Sequence, residues 1–172
     1  MAKITIDGIT KEYPQGTAFE EIARQYQPGF KDMIALVAEN RKIRELHKKV
    51  ERDCSLSFLT IRDDIGHKTY VRTGLMILVK AINDVLGKEK VGRVKIEFAI
   101  GQGYYCKVIM EEKLTREHVS AIGKRMAELV EKDPGGGGYL CPWPIFEGIY
   151  HMVGRIMERS GQSVYLMLCT VV

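Results

Sequence analysis

Five side chains have the chemistry to hold a ligand: His67, Arg72, Thr73, Tyr104 and Tyr105. Arg72 is permanently cationic, and its planar fork of donors suits a phosphate or a carboxylate. Thr73 adds a hydroxyl beside it. Tyr104 and Tyr105 are neighbours in an alternating segment, so they face opposite sides of a strand. An exposed tyrosine there can stack on a base or a sugar. His67 can hydrogen-bond. Each residue also has a plainer role: His67 as a surface or capping residue, the tyrosines as packed hairpin aromatics, Arg72 as the partner of a carboxylate such as Glu97 or Asp84.

The patterns that carry catalysis are missing, and no catalytic or metal-binding residue is expected. His47, His67, His118 and His151 are dispersed, with no metal-ligand spacing among them or the cysteines. Cys54, Cys106, Cys141 and Cys169 include no C-x-x-C pair, as expected of reduced thiols in a cytosolic chain. Phosphoryl transfer by a P-loop needs Gly-x4-Gly-Lys-Ser/Thr, whose amides and lysine hold the phosphates. No such string occurs, and the glycine run 135–138 lacks the Lys-Ser/Thr. Gly101-Gln102-Gly103 reads as a β-turn rather than a dinucleotide fingerprint, because it meets no helix start.

Composition bounds the rest. The chain has 172 residues, 45% apolar and 28% charged, which suits one domain or two small ones. A net charge of +4 does not by itself mark a nucleic-acid protein. Arg41, Lys42, Arg44, Lys48, Lys49 and Arg52 form the densest basic run, diluted by Glu45 and Glu51. Lys88, Lys90, Arg93 and Lys95 form a second, shorter cluster. No apolar run approaches the roughly 18 residues of a membrane span. The N-terminus enters alternating sequence at once and has no apolar signal core, so the expectation is a cytoplasmic protein with no membrane partner.

Two groups of elements must position these side chains. In the first, Lys3 to Ile6 alternates as a strand, Asp7-Gly8 is a hairpin turn and Ile9 to Tyr13 returns. Thr17-Ala18-Phe19-Glu20 fits a capping box for a helix from about Thr17 to Gln25, with Phe19, Ile22, Ala23 and Tyr26 on its apolar stripe. Met33 to Ala38 and Ser55 to Thr60 are further strands. Strand, strand, helix and more strands is the order of a β-grasp fold. In the second group, Val71, Leu75, Leu78, Val79, Ile82 and Val85 mark a helix ending at Gly87, with His67 in a loop before it. Val94, Ile96, Phe98 and Ile100 alternate as one face of a strand. Tyr104 to Met110 is its partner, and Thr115 caps a helix that buries Val119, Ile122, Met126 and Leu129.

Charge density breaks at Pro134. Residues 1–133 hold 44 of the charged side chains and residues 134–172 only four. The organisation expected is therefore residues 1–60, residues 61–133, and a Gly-rich joint with an uncertain tail over 134–172. A shifted reading frame or a truncation would produce that break; a glycine linker followed by a short apolar helix is the alternative.

A family resemblance adds to this reading. Pro14-x-Gly16-Thr17, Ile22-Ala23, Ile34-Ala35-Leu36-Val37-Ala38-Glu39-Asn40 and Ile43-Arg44-x-Leu46 resemble a TGS domain. Residues 61–133 resemble the second N-terminal domain of threonyl-tRNA synthetase. The synthetase pattern opens its helix with His-Ser-Ala-Ala-His and carries Gly-Phe-Tyr-Tyr in the hairpin. Here the two histidines fall on Arg72 and Met76, while the hairpin keeps Gly103-Tyr104-Tyr105. Neither Arg72 nor Met76 can act as a base near neutral pH, so editing of mischarged tRNA is not expected. Gly66-His67-Lys68-Thr69-Tyr70, Leu78-Val79-Lys80-Ala81 and Gly103-Tyr104-Tyr105-Cys106 resemble the N-terminal half of TGS-containing, uridine-kinase-like nucleoside kinases.

The resemblance implies an α+β fold: a TGS β-grasp domain followed by a threonyl-tRNA-synthetase-like α+β domain. It implies a non-catalytic module that binds a nucleotide or RNA, or regulates an ATP-dependent uridine/cytidine kinase domain in the parent protein. ATP and Mg would belong to that kinase domain, and no cofactor is expected for this chain. The alternatives are an aminoacyl-tRNA editing-type hydrolase and a TGS ribosome or RNA interaction module. His67, Arg72, Thr73, Tyr104 and Tyr105 are the ligand-binding residues it points to, because the Arg72-Thr73 and Tyr104-Tyr105 positions match the synthetase's editing pocket.

Overall fold

A computed structural model describes residues 1–100, 103–131, 156–158 and 164–169. The glycine joint of residues 135–138 lies outside them. The chain divides into two compact units, the first comprising Met1–Arg72 and the second beginning at Thr73. The fold is α+β, and the first unit is a β-grasp.

In the first unit β1 (Ala2–Ile6) turns back into β2 (Ile9–Tyr13). Asp7 and Gly8 both have positive φ, as a two-residue hairpin turn of matching twist requires. Then come α1 (Phe19–Tyr26), a single 3-10 turn (Gln27–Gly29), β3 (Ile34–Glu39), β4 (Lys42–Glu45) and β5 (Cys54–Thr60). The strand order is β2-β1-β5-β3-β4. β1 runs parallel to β5, and the other neighbours are antiparallel. Phe19 and Ile22 of α1 enter a core with Ile4, Ile6, Val37, Val50 and Leu56. Burying each such side chain contributes about 1.5–3 kcal/mol.

Three details of this unit differ from the sequence reading. The capping box does not form: α1 begins at Phe19, its N-cap is Ala18, and no side chain caps it. The Thr17 hydroxyl instead donates to the Pro14 carbonyl at 2.8 Å. The first helical amides reach backbone oxygens, Phe19 N to Lys48 O at 2.9 Å and Glu20 N to Leu46 O at 2.8 Å. A passing loop has thus replaced the side-chain caps. The second difference is β4, a strand the periodicity did not show, since its residues are mostly exposed. It is reached through Asn40 and Arg41, both at positive φ. Third, α2 (Asp64–Leu86) starts seven residues before Val71, so His67 is helical rather than in a loop. Gly66 explains this. A Cβ there would lie 2.0 Å from the Thr60 carbonyl oxygen, so only glycine lets the first turn of α2 pass the end of β5. The Asp63 carboxylate fixes that junction, accepting from the Thr60 amide at 2.6 Å and the Thr60 hydroxyl at 2.9 Å.

The second unit continues α2 to its stop at Gly87, whose φ of +85° closes the helix. β6 (Val91–Ile100) and β7 (Gly103–Met110) follow, then α3 (Arg116–Glu131), β8 (Ile156–Glu158) and β9 (Val164–Cys169). The sheet order is β6-β7-β9-β8. β9 pairs antiparallel with β7, so the apolar segment read as a short helix in one alternative is a strand. Among the described residues, buried side chains include Ile77, Leu78, Ala81 and Ile82 on α2, Cys106 and Val108 on β7, and Ile122 and Met126 on α3. Thr115 caps α3 as expected, its hydroxyl accepting from the His118 amide at 3.3 Å. The His118 ring returns the favour, its Nδ1 accepting from the Thr115 amide at 3.3 Å, as the second partner of a capping box would.

Candidate functional site

α2 carries three of the five candidate residues. His67 sits half-buried in the first turn, its amide donating to the Asp63 carbonyl at 2.8 Å. Arg72 is exposed and Thr73 half-buried. Arg72 and Met76 are four residues apart and share one helix face. That face is open to solvent, with Met76 55% exposed. Among the described residues Arg72 makes no hydrogen bond or ion pair. Asp84, one carboxylate that could have paired with it, is paired with Lys80 and Arg125.

β7 carries the other two. Tyr104 pairs across the ladder with Ala99, and Tyr105 with Phe98. Both rings are half-buried, so neither is the core residue opposite an exposed one that alternation suggests. Tyr105 lies flat against Phe98, with ring centroids 4.9 Å apart and planes 22° from parallel. His67 and Arg72 belong to the first unit, and Thr73, Tyr104 and Tyr105 to the second.

The Phe98 contact was hidden from the sequence by a bulge. Ile96 pairs with Cys106 and Phe98 with Tyr105, so two residues of β6 are spent against one of β7. Strict alternation places Phe98 on the face of Val94 and Ile96. The extra residue, Glu97, moves it to the opposite face, where it is 52% exposed. That face also carries Lys95 opposite Lys107 and Arg93 opposite Ile109. These residues were missed as a group, and no glycine or proline at Glu97 signals the bulge.

Among the described residues the two free thiols, Cys54 and Cys106, are both buried. Burial pushes the Cys106 thiol up to about 11, so it stays protonated at neutral pH. Burial also raises the Cys54 thiol above its ordinary value. Among the described residues no group of three or more His, Cys, Asp or Glu side chains could hold a metal ion. None of the described helices is long and apolar enough to cross a membrane.

No family model matches the chain. Individual proteins do. A threonine–tRNA ligase of Acetivibrio thermocellus is 30% identical over 135 residues, covering 77% of this chain and 21% of the ligase. The ligase of Thermotoga neapolitana is 33% identical over 128 residues, 74% of this chain and 19% of the ligase. That of Oceanobacillus iheyensis is 27% identical over 136 residues, again 77% and 21%. The chain is homologous to the N-terminal region of threonine–tRNA ligases. It spans about a fifth of the length of these ligases. The ligase homology supports the synthetase half of the sequence resemblance. It lends nothing to the nucleoside-kinase half, since the relatives that carry it are ligases.

Proposed function

We propose that the chain is a non-catalytic, cytoplasmic RNA-binding module related to the N-terminal region of threonyl-tRNA synthetase. The homology to tRNA ligases motivates an RNA ligand. The observation that carries the non-catalytic part is the α2 face of Arg72 and Met76. A guanidinium and a thioether stand where the synthetase pattern has two histidines, and neither can take a proton from water at neutral pH. Arg72 has no partner among the described residues and is exposed, so its fork is open to a phosphate. The ligand-contacting residues we assign are His67, Arg72 and Thr73 on α2 and Tyr104 and Tyr105 on β7.

The domain boundaries that go with this reading are 1–60 for a TGS domain and 61–133 for the synthetase-like domain. A nucleoside-kinase parent is a second reading. It rests on the strings Gly66 to Tyr70 and Gly103 to Cys106, and it places this module ahead of an ATP-dependent kinase domain.

The test is a set of assays on the full chain. Titration with uncharged tRNA should show binding that Arg72→Ala weakens, more so at low salt where the charge is least screened. Neither hydrolysis of seryl-tRNA nor phosphorylation of uridine or cytidine by ATP should occur. Turnover of seryl-tRNA that disappears in Arg72→Ala would make the chain an editing enzyme instead. Equal tRNA affinity in both proteins would remove Arg72 from the site.

A further inference from the structure

The face of the β6–β7 ribbon that carries Tyr105 combines a stacked aromatic pair with basic residues. Three successive cross-strand pairs lie on it: Arg93 with Ile109, Lys95 with Lys107, and Phe98 with Tyr105. Arg93, Lys95 and Phe98 are exposed. Among the described residues neither Arg93 nor Lys95 forms an ion pair. The one acid of β6, Glu97, sits in the bulge itself. One feature here costs stability in the free chain: the Phe98 ring, 52% exposed, stays in water.

A single kind of ligand covers that ring and matches the cations beside it. We propose that this face binds unpaired RNA, with a base stacked on the Phe98–Tyr105 pair and the phosphates running along Lys95 and Arg93. The aromatic pair is already ordered as a flat platform, so a base adds to it without rearranging the rings. The cations follow at alternate positions of the same strands, where a backbone leaving the stacked base would pass them. The RNA must be single-stranded, because bases inside a duplex are stacked on each other and have no face to offer. An acidic protein segment would match the cations but leave the stacked rings unused. This proposal rests on the RNA-binding reading above and adds the class of RNA and the residues that flank Tyr105. The bulge is what creates it: without the extra residue Phe98 would share a face with Ile96 instead of Lys95.

The experiment is fluorescence anisotropy of the full chain with an end-labelled, unstructured RNA oligonucleotide about ten nucleotides long, across a salt series. Uncharged tRNA and a duplex RNA of the same length serve as separate titrations. Phe98→Ala should weaken oligonucleotide binding about tenfold, the order expected for losing one stacked base. Phe98→Leu should be nearly as weak, because it keeps apolar bulk but has no ring. Lys95→Ala should lower the slope of log affinity against log salt by about 0.7, one phosphate contact on a single strand. Thermal melts should show all three variants still folded at the assay temperature. Unchanged affinity and salt slope in Phe98→Ala and Lys95→Ala would overturn the proposal, as would duplex RNA binding as tightly as the single strand. Binding of tRNA without binding of the oligonucleotide would overturn this face and leave the RNA reading standing. Binding of neither would end both.

Discussion

Arg125 on α3 holds the carboxylate of Asp84 on α2 with two nitrogens, Nε at 2.9 Å and Nη2 at 2.8 Å, both on Oδ2. Lys80 holds the other oxygen of the same carboxylate, and Arg125 also reaches Glu128 at 2.8 Å. Four charges thus clip the two helices of the second unit together at their surface. The hydrogen bond from Lys80, helped by Arg125, holds the Asp84 carboxyl below its ordinary 3.8.

That depression makes the clip pH-dependent. A carboxylate whose pKa is lower in the folded chain stabilises it above the unfolded pKa, and the gain is lost as pH falls through the folded one. Asp84→Asn should therefore lower stability at neutral pH by about 0.5–1 kcal/mol, the range of a partly solvated pair. The difference from the parent should close as pH drops below 3.8. Urea midpoints of the two proteins at neutral and acid pH check this. A constant difference across the series would mean that the carboxylate charge does not matter.

Gly66→Ala should be among the most damaging small substitutions in the first unit. The added carbon meets the Thr60 carbonyl oxygen at 2.0 Å and the carbonyl carbon at 2.8 Å. These are backbone atoms, so the helix start or the strand end must move. A loss of about 1–3 kcal/mol is expected, as for other overpacked sites. Chemical denaturation reads it, and Gly123→Ala, where nothing lies within 4 Å, is the control.

Arg41→Gly should act in the opposite direction. Arg41 holds a φ of +68° in the β3–β4 turn, and an L residue pays for that conformation. Glycine removes the penalty, and stability should rise by about 1 kcal/mol. The same substitution at Lys42, inside β4, should lower stability instead, because it places glycine in a strand.

Cys106 should resist thiol reagents in the folded chain. Its side chain is fully buried, and burial raises its pKa from 9.0 to about 11. In a Cys141→Ser/Cys169→Ser background, labelling of Cys106 and Cys54 at mildly alkaline pH should follow unfolding rather than thiol ionisation. A thiol whose folded pKa is raised favours the folded state below about 9 and loses that contribution as pH climbs towards 11. Stability should therefore decline across that interval, less steeply in Cys106→Ala.

The sequence exposed the fold wherever one local pattern decided it. β1 and β2 alternate around Asp7-Gly8, and their register runs from Ala2–Tyr13 to Ile6–Ile9 without interruption. Thr115 caps α3 because the cap and its partner lie three residues apart. The failures share a cause: the deciding contact comes from a different element. Thr17 looks like a cap, but Lys48 and Leu46 reach the amides first. The periodicity starts α2 only near Val71, whereas Gly66 lets its first turn pass Thr60 at the end of β5. Phe98 looks like an inward residue until the register of β7 counts one extra residue in β6. Of the candidate site, the residue types on α2 and β7 were legible. The company Tyr105 keeps was not, because it depends on that register.

The pairing of β1 with β5 also has a consequence in time. Ile4 lies beside Cys54, Thr5 beside Ser55 and Ile6 beside Leu56, fifty residues further along the chain. A ribosome adds about 5–20 residues per second, so β1 leaves it several seconds before its parallel neighbour. During that wait the β1–β2 hairpin is on its own, and a lone two-stranded hairpin is marginal in water. Ile4 and Ile6, which end fully or almost fully buried, spend the interval exposed on the nascent chain. The first unit is thus obliged to fold late, closing only once β5 has emerged. Slowing translation before that point lengthens the period in which those isoleucines are open to chaperones or to aggregation.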